Sequence, residues 1–218
     1  MTHQLVYRQT REQFATETVR AKQLLEDLSG QAVGGYRAAS FSITQASLWA
    51  VDVLIDAGFT YDSSVFPIRH HDNYGIPDAP VSPFRLRAPS GRSLIEVPLS
   101  VASFAGLRIP VSGGGWFRLF PYWFTRAALQ RVERTEQRSI IFYVHPWEID
   151  VDQPRVHANF VSRLRHYNNI DRCEPRLRRL LTDFQFGTMA DVLAARGFAA
   201  GVETALTPAA LQPVPALT

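Results

Sequence analysis

His145, Arg37 and Asp62 are the residues of this chain whose types and placement could do chemistry. Each follows a candidate β-strand, and folds that alternate strand and helix carry their sites at the carboxyl ends of strands. Histidine is the natural general acid near neutral pH. Arginine can orient a carboxylate or stabilise a developing oxyanion. A histidine, a carboxylate and a permanent cation on one rim describe a hydrolytic site. Glu96 lies within a third strand candidate, and Trp147 stands two residues after His145 with an apolar face suited to a sugar ring. Each residue also has a purely structural reading. A strand-end histidine is often only packed, Arg37 could serve an ion pair, and Asp62 in Tyr61-Asp62-Ser63-Ser64 could cap a turn. His70-His71 sits in a proline-rich loop and makes a poor metal pair. His157 and His166 read as surface residues. Cys173 has no thiol partner and no evident base, so it reads as inert.

The composition narrows the chemistry further. The chain has 218 residues, enough for one domain or one domain with an extension. It holds one Cys, which excludes an intramolecular disulfide and any cysteine-cluster metal site. A metal would have to use His and carboxylates. Of the 23 basic residues only Lys22 is a lysine, so Schiff-base chemistry and a phosphate-loop lysine are not expected. The net charge is +3. An arginine-dominated basic set fits either genome composition or a surface for anionic polymer. No apolar leader segment and no stretch of about 18 apolar residues is present, so the expectation is a cytoplasmic protein with no membrane span.

Along the chain, Thr10 to Leu28 reads as a helix. Thr10 and Gln13 form its capping box, Phe14, Ala21, Leu24, Leu25 and Leu28 its inner face, and Ser29-Gly30 its end. A short strand at Val33 to Ala38 follows. A second helix is capped by Thr44 and stopped by Gly58, and a second strand runs Phe59 to Asp62. This alternation predicts βα units and a largely parallel sheet. Pro67 to Gly91 reads as a long loop because of its prolines. Ser93 to Leu99 reads as a strand, Val111 to Gly115 as a close-approach turn, and Pro121 to Glu136 as a helix. Ser139 to Val144 is the clearest strand, an apolar run expected to be buried on both faces. Helices are expected at Phe160 to His166, Glu174 to Phe184 and Met189 to Arg196. In the second of these Leu177, Leu180, Leu181 and Phe184 point inward, and Arg176, Arg178 and Arg179 occupy the other face. Residues 198–218 read as a disordered tail.

Three spaced stretches carry a family resemblance. They are Gly35-Tyr36-Arg37-Ala38-Ala39-Ser40-Phe41-Ser42-Ile43-Thr44, Gly58-Phe59-Thr60-Tyr61-Asp62-Ser63-Ser64 and Phe142-Tyr143-Val144-His145-Pro146-Trp147-Glu148. In this order they resemble the polysaccharide deacetylases of the NodB-homology class, a carbohydrate esterase family 4-like group. Gly113-Gly114-Gly115-Trp116-Phe117-Arg118 and Arg165-His166-Tyr167-Asn168-Asn169 resemble the branch found with exosortase and exopolysaccharide loci. The resemblance spans residues 3 to 196. It implies a domain over residues 1–197, with 146–186 as the branch-specific carboxy-terminal region. It also implies a deformed (β/α) barrel, a divalent metal, usually zinc, and removal of acetyl groups from an N-acetylated sugar polymer.

By the same resemblance His145 is the acid that protonates the leaving amine, Arg37 orients the catalytic carboxylate, Asp62 is catalytic, and His3 is a metal ligand. Trp147 and Trp116 are substrate contacts. Ala39 stands where the family usually has proline. The paired Asp residues and the first His of the metal motif would lie before residue 1. The expected fold is therefore α/β, an incomplete barrel lacking its first strands, with an exposed edge through which it could associate. One histidine does not hold a catalytic zinc tightly, since such sites use about three protein ligands. The expectation is an amino-terminally truncated deacetylase of impaired activity. The competing reading is a non-catalytic remnant that binds glycan or a partner through Trp116, Trp147 and the Arg176 to Arg179 face; a third is a chain completed by a separate polypeptide. Acetylated polysaccharide is the expected partner, and nucleic acid is not.

Overall fold

A computed structural model describes residues 3–68, 75–155, 163 and 166–197. His70, His71, His157, Arg165, most of the Phe160 to His166 helix and the 198–218 tail lie outside the described residues. The protein is mixed α/β and divides into two compact units. One is built on Met1–Leu99 and takes the chain from Leu193 onward; the other is Ser100–Val192.

The first unit begins with a 3₁₀ turn at Val6–Arg8 and helix α1 (Arg11–Ser29). The capping box forms as read. Thr10 Oγ1 accepts from Gln13 N at 3.2 Å, Gln13 Oε1 accepts from Thr10 N at 2.9 Å, and Gly30 closes the helix in the left-handed region at φ 66°. The inner face differs from the expected one. Phe14 and Thr18 are buried, whereas Leu24, Leu25 and Leu28 are 49%, 48% and 77% exposed. The inward stripe runs in steps of four through Phe14, Thr18, Lys22 and Glu26. Lys22 lies over the Phe59 ring, and Glu26 accepts from Val33 N. The leucines fall beside that stripe.

Strand β1 (Gly35–Tyr36), helix α2 (Trp49–Asp56), and strands β2 (Tyr61–Asp62), β3 (Phe84–Arg87) and β4 (Ser93–Glu96) complete this unit. The sheet order is β1-β2-β4-β3, with β1, β2 and β4 parallel and β3 antiparallel. Strand β3 corrects the expectation of an unbroken loop from Pro67 to Gly91. Its alternation is clean: Phe84 and Leu86 are buried, and Arg85 and Arg87 are not. The prolines flank it and leave its four residues free to pair. Phe14, Tyr36, Trp49 and Phe59 meet edge to face in the core, at 5.4–5.8 Å between ring centroids. Parallel pairing sets Asp62 directly beside Glu96.

The second unit opens with a hairpin of β5 (Val101–Phe104) and β6 (Leu107–Pro110). Helices α3 (Gly114–Leu119) and α4 (Tyr122–Gln130) follow, and α4 widens into a π turn over Arg131–Thr135. Helix α5 (Ile170–Asp183) packs Cys173, Leu180 and Phe184 against Phe117, Ala128, Leu129 and Val132. Leu181, expected inside, is 56% exposed. Arg176, expected outside, donates from Nη1 to the carbonyls of Phe117, Phe120 and Arg118 at 3.1 Å, where α3 leaves its carbonyls unpaired. Helix α6 (Met189–Ala195) ends the described chain.

Ser139 to Val144 is not a strand here. These residues are half-buried, and one parallel bridge, Tyr143 to Gly113, is their ladder. A β-favouring sequence needs a partner of matching length, and the segment beside it turns into α3 at Gly114. Gly113 is required at that bridge. Its φ is 114°, and a Cβ there would stand 2.0 Å from the Tyr143 carbonyl oxygen.

Candidate functional site

The 3₁₀ turn Pro146–Ile149 places His145 and Glu148 on one side of the chain. Glu148 is fully buried, and the His145 side chain is 49% exposed. Glu148 Oε2 accepts from His145 N at 2.9 Å and faces His145 Nδ1 at 3.1 Å. The other oxygen, Oε1, accepts from Arg118 Nε at 2.9 Å. Burial pushes the Glu148 carboxyl up, but the hydrogen bonds from His145 and Arg118 outweigh it and hold the group below its ordinary value. Glu148 is therefore an anion, and Nδ1 of His145 carries a proton toward it. The Nε2 edge is left for a proton transfer. The arrangement matches the carboxylate–histidine pairing in which the carboxylate fixes ring orientation and tautomer.

Arg118 is the strut beneath this pair. It is 2% exposed and also donates from Nη1 to the carbonyls of His166 and Asn168, at 2.7 and 3.0 Å. Asn169 Nδ2 returns a bond to the Arg118 carbonyl at 2.8 Å. The Gly-Gly-Gly-Trp-Phe-Arg and His-Tyr-Asn-Asn stretches, far apart in sequence, thus meet at one guanidinium. A row of rings surrounds His145. Tyr143 meets it edge-on at 5.5 Å, Trp147 stacks on it at 5.3 Å, and His166 stacks on Trp147 at 4.2 Å. His166, expected at the surface, is half-buried and bonded to Gln153 through Nε2 at 2.9 Å. Burial and the nearby Arg118 charge push its proton affinity down. Trp147, expected as a sugar platform, is engaged by two imidazoles and by the Arg118 guanidinium at 5.1 Å, and so braces His145. Trp116 is half-buried and stacks on Phe120 at 5.8 Å.

A second cluster lies in the first unit. Arg37 donates from Nε to the Ser63 carbonyl at 3.0 Å and from Nη2 to Ser63 Oγ at 2.8 Å. Ser64 Oγ donates to Asp62 Oδ1 at 2.6 Å, and Val65 N donates to Glu96 Oε1 at 2.9 Å. Asp62 and Glu96 are both fully buried, and their remaining oxygens share the space between β2 and β4. Burial pushes Asp62 up to about 6, while Ser64, Glu96 and Arg37 pull against that rise. Burial and the neighbouring Asp62 charge push Glu96 well above its ordinary value. Two adjacent buried carboxylates resist ionising together, so the pair favours holding a shared proton. Ser40 and Phe41, just after Arg37, stand at φ 51° and 54°, a strained bend.

The structure thus groups Arg37 with Asp62 through Ser63 and Ser64, and His145 with Trp147. Asp62 is sealed from solvent, so it meets no substrate directly. His3 is exposed, with a left-handed backbone at φ 51°. Among the described residues no group of three or more His, Cys, Asp or Glu forms a metal donor set. The residues in hand do not fit the zinc that the resemblance implied, and no step below runs through a metal. Three participants were missed from the sequence. Glu148 had a signal in its three-residue spacing from His145 with proline between. Glu96 had one in its position on a strand parallel to Asp62. Arg118 had none beyond its motif.

Residues 63–194 match the family model described as a domain of unknown function, DUF3473. The chain belongs to that family. No curated protein and no solved structure is significantly similar to it. The DUF3473 match takes in Arg118, His145, Trp147, Glu148 and His166, so the whole ring-and-carboxylate cluster of the second unit is family territory. Arg37 and His3 precede it, and Asp62 stands at its threshold.

Proposed function

We propose that this DUF3473 protein acts on N-acetylated sugar polymers in exopolysaccharide biosynthesis, hydrolysing the carbon–nitrogen bond of the acetamido group. Water adds to the acetyl carbonyl carbon, the carbon–nitrogen bond breaks to release acetate, and His145 protonates the departing amine. The supporting observation is the half-exposed His145 ring with Nδ1 turned to a buried, ionised Glu148. An amine leaves poorly unless protonated, and a histidine ring oriented by a carboxylate is a suitable proton donor. Tyr143 and Trp147 fix the ring, and Arg118 keeps Glu148 charged. Arg37, anchored on Ser63, biases the Asp62–Glu96 pair through its charge. The incomplete (β/α) barrel belongs to this same proposal.

A test is acetate release from an N-acetylated oligosaccharide with zinc supplied in the buffer. Impaired release is expected, with a further fall of about 10²-fold or more in His145→Ala. Undiminished release in that variant would remove His145 as the acid. A second reading is a glycan-binding protein without catalysis, which would bind through Trp116, Trp147 and the Arg176 to Arg179 face. Its mark is oligosaccharide binding with no acetate released.

A further inference from the structure

The geometry points to the cleft between α4 and α5 as a binding site for a carboxylate-bearing sugar, a uronate residue of an acidic polysaccharide. This inference rests on the reading that the protein meets sugar polymers, and it names their chemical class. The cleft encloses about 330 Å³ and is lined by Tyr122, Trp123, Arg126, Ala127, Gln130 and Arg179. That volume falls at the lower end of small-ligand sites, roughly 300–1,000 Å³. It lies wholly within the second unit.

The lining combines an aromatic face with two guanidinium forks. Trp123 is 70% exposed, large for an indole with no packing duty, and Phe124 meets it edge-on at 6.0 Å and fixes its plane. Such a face accepts the C–H side of a pyranose ring. Asp183 organises the cations. Its Oδ2 accepts from Tyr122 Oη at 2.6 Å, pairs with Arg126 Nε at 3.0 Å, and stands 3.9 Å from Arg179 Nε. The Arg179 guanidinium also lies over the Tyr122 ring at 4.9 Å. Both arginines turn Nε toward Asp183, and their terminal Nη groups make no hydrogen bond among the described residues. Two cations against one carboxylate leave the cleft net positive. A planar fork of N–H donors matches a carboxylate in geometry as well as charge. The Gln130 amide adds a donor and an acceptor suited to hydroxyls. An aromatic face beside paired guanidinium donors is the chemistry of an acidic sugar, since a bare anion has no use for the indole and a neutral sugar has none for the arginines.

Isothermal titration of the whole protein tests this with trigalacturonate, galactotriose and inorganic phosphate as probes. Trigalacturonate is expected to bind at least tenfold more tightly than either of the others, and more weakly as salt rises. Arg126→Gln with Arg179→Gln should weaken trigalacturonate at least tenfold and leave galactotriose unchanged. Trp123→Ala should weaken trigalacturonate several-fold. Asp183→Asn, which removes the opposing charge, should tighten it, a gain that misfolding cannot produce. Equal binding of the two trisaccharides, phosphate binding as tightly as trigalacturonate, no binding, or indifference to these variants would each overturn the site. Trigalacturonate binding without acetate release would defeat only the hydrolytic reading; acetate release without trigalacturonate binding would defeat only this site.

Discussion

Replacing Glu96 by glutamine should remove a pH dependence built into the sheet of the first unit. The folded protein holds protons on Asp62 and Glu96 that the unfolded chain releases as pH rises past its ordinary carboxyl values. For Asp62 the folded value is about 6 against 3.8. At about 1.4 kcal/mol for each tenfold change in proton affinity, that difference is on the order of 3 kcal/mol. Both groups are raised, so the stability they confer is full in acid; the Asp62 share is lost as pH climbs from about 4 through about 6, and the Glu96 share is lost as pH rises through its own raised value. In Glu96→Gln the new side chain would keep the bond from Val65 N through its carbonyl oxygen and donate its amide to Asp62, while carrying no charge. Asp62 would keep the rise that burial gives it, so the two proteins would differ by the Glu96 proton. The assay is amide exchange in peptides from β2 and β4 across pH 4 to 8, corrected for intrinsic exchange rates, which reads this unit alone. Wild type is expected to lose more protection over that range than Glu96→Gln, because only wild type gives up the Glu96 proton. Reading the difference between the two proteins matters. Asp52 and Asp56, held low through Ser90 and Arg92, act in the opposite sense and do so equally in both. Parallel profiles, or a variant less protected than wild type at pH 8, would refute the shared proton.

Three further outcomes follow from the second unit. Arg118→Met leaves the Glu148 anion buried without its cation and should cost about 3–5 kcal/mol in chemical denaturation. Glu148→Gln keeps the shape but loses the charge that orients His145; acetate release should fall tenfold or more through kcat, with KM unchanged. Gly113→Ala forces a Cβ against the Tyr143 carbonyl at a left-handed φ, so its melting temperature should drop by an amount equivalent to at least ~1–3 kcal/mol.

Local signals were readable wherever the chain itself supplies both partners. Thr10 with Gln13 and the glycine stops at Gly30 and Gly58 needed no tertiary knowledge, because cap and capped groups lie within a few residues. The strand-ending position of Asp62 and the place of Glu96 within a strand were also visible. What the sequence did not show was their meeting: a two-residue strand gives no register, and only the parallel pairing of β2 with β4 puts one carboxyl against the other. Ser139 to Val144 failed for the converse reason. Its β-branched, apolar run states a preference, but a strand exists only where a neighbour offers an equal length of edge, and Gly113 turns away into α3 after one bridge.

Residue type by itself determined which chemistry was open to this protein: one cysteine and one lysine leave histidine, carboxylates and arginine to act. It also marked His145 as the proton donor to test. Tertiary structure decided what each of those residues is. Burial with a like charge turned Asp62 from a rim residue into half of a proton-sharing pair. Burial with an opposite charge turned Glu148 into an anion that sets the His145 ring. Stacking tied Trp147 to His145 and His166. Charge state and accessibility depend on neighbours brought from distant parts of the chain, and composition and spacing carry no record of those neighbours.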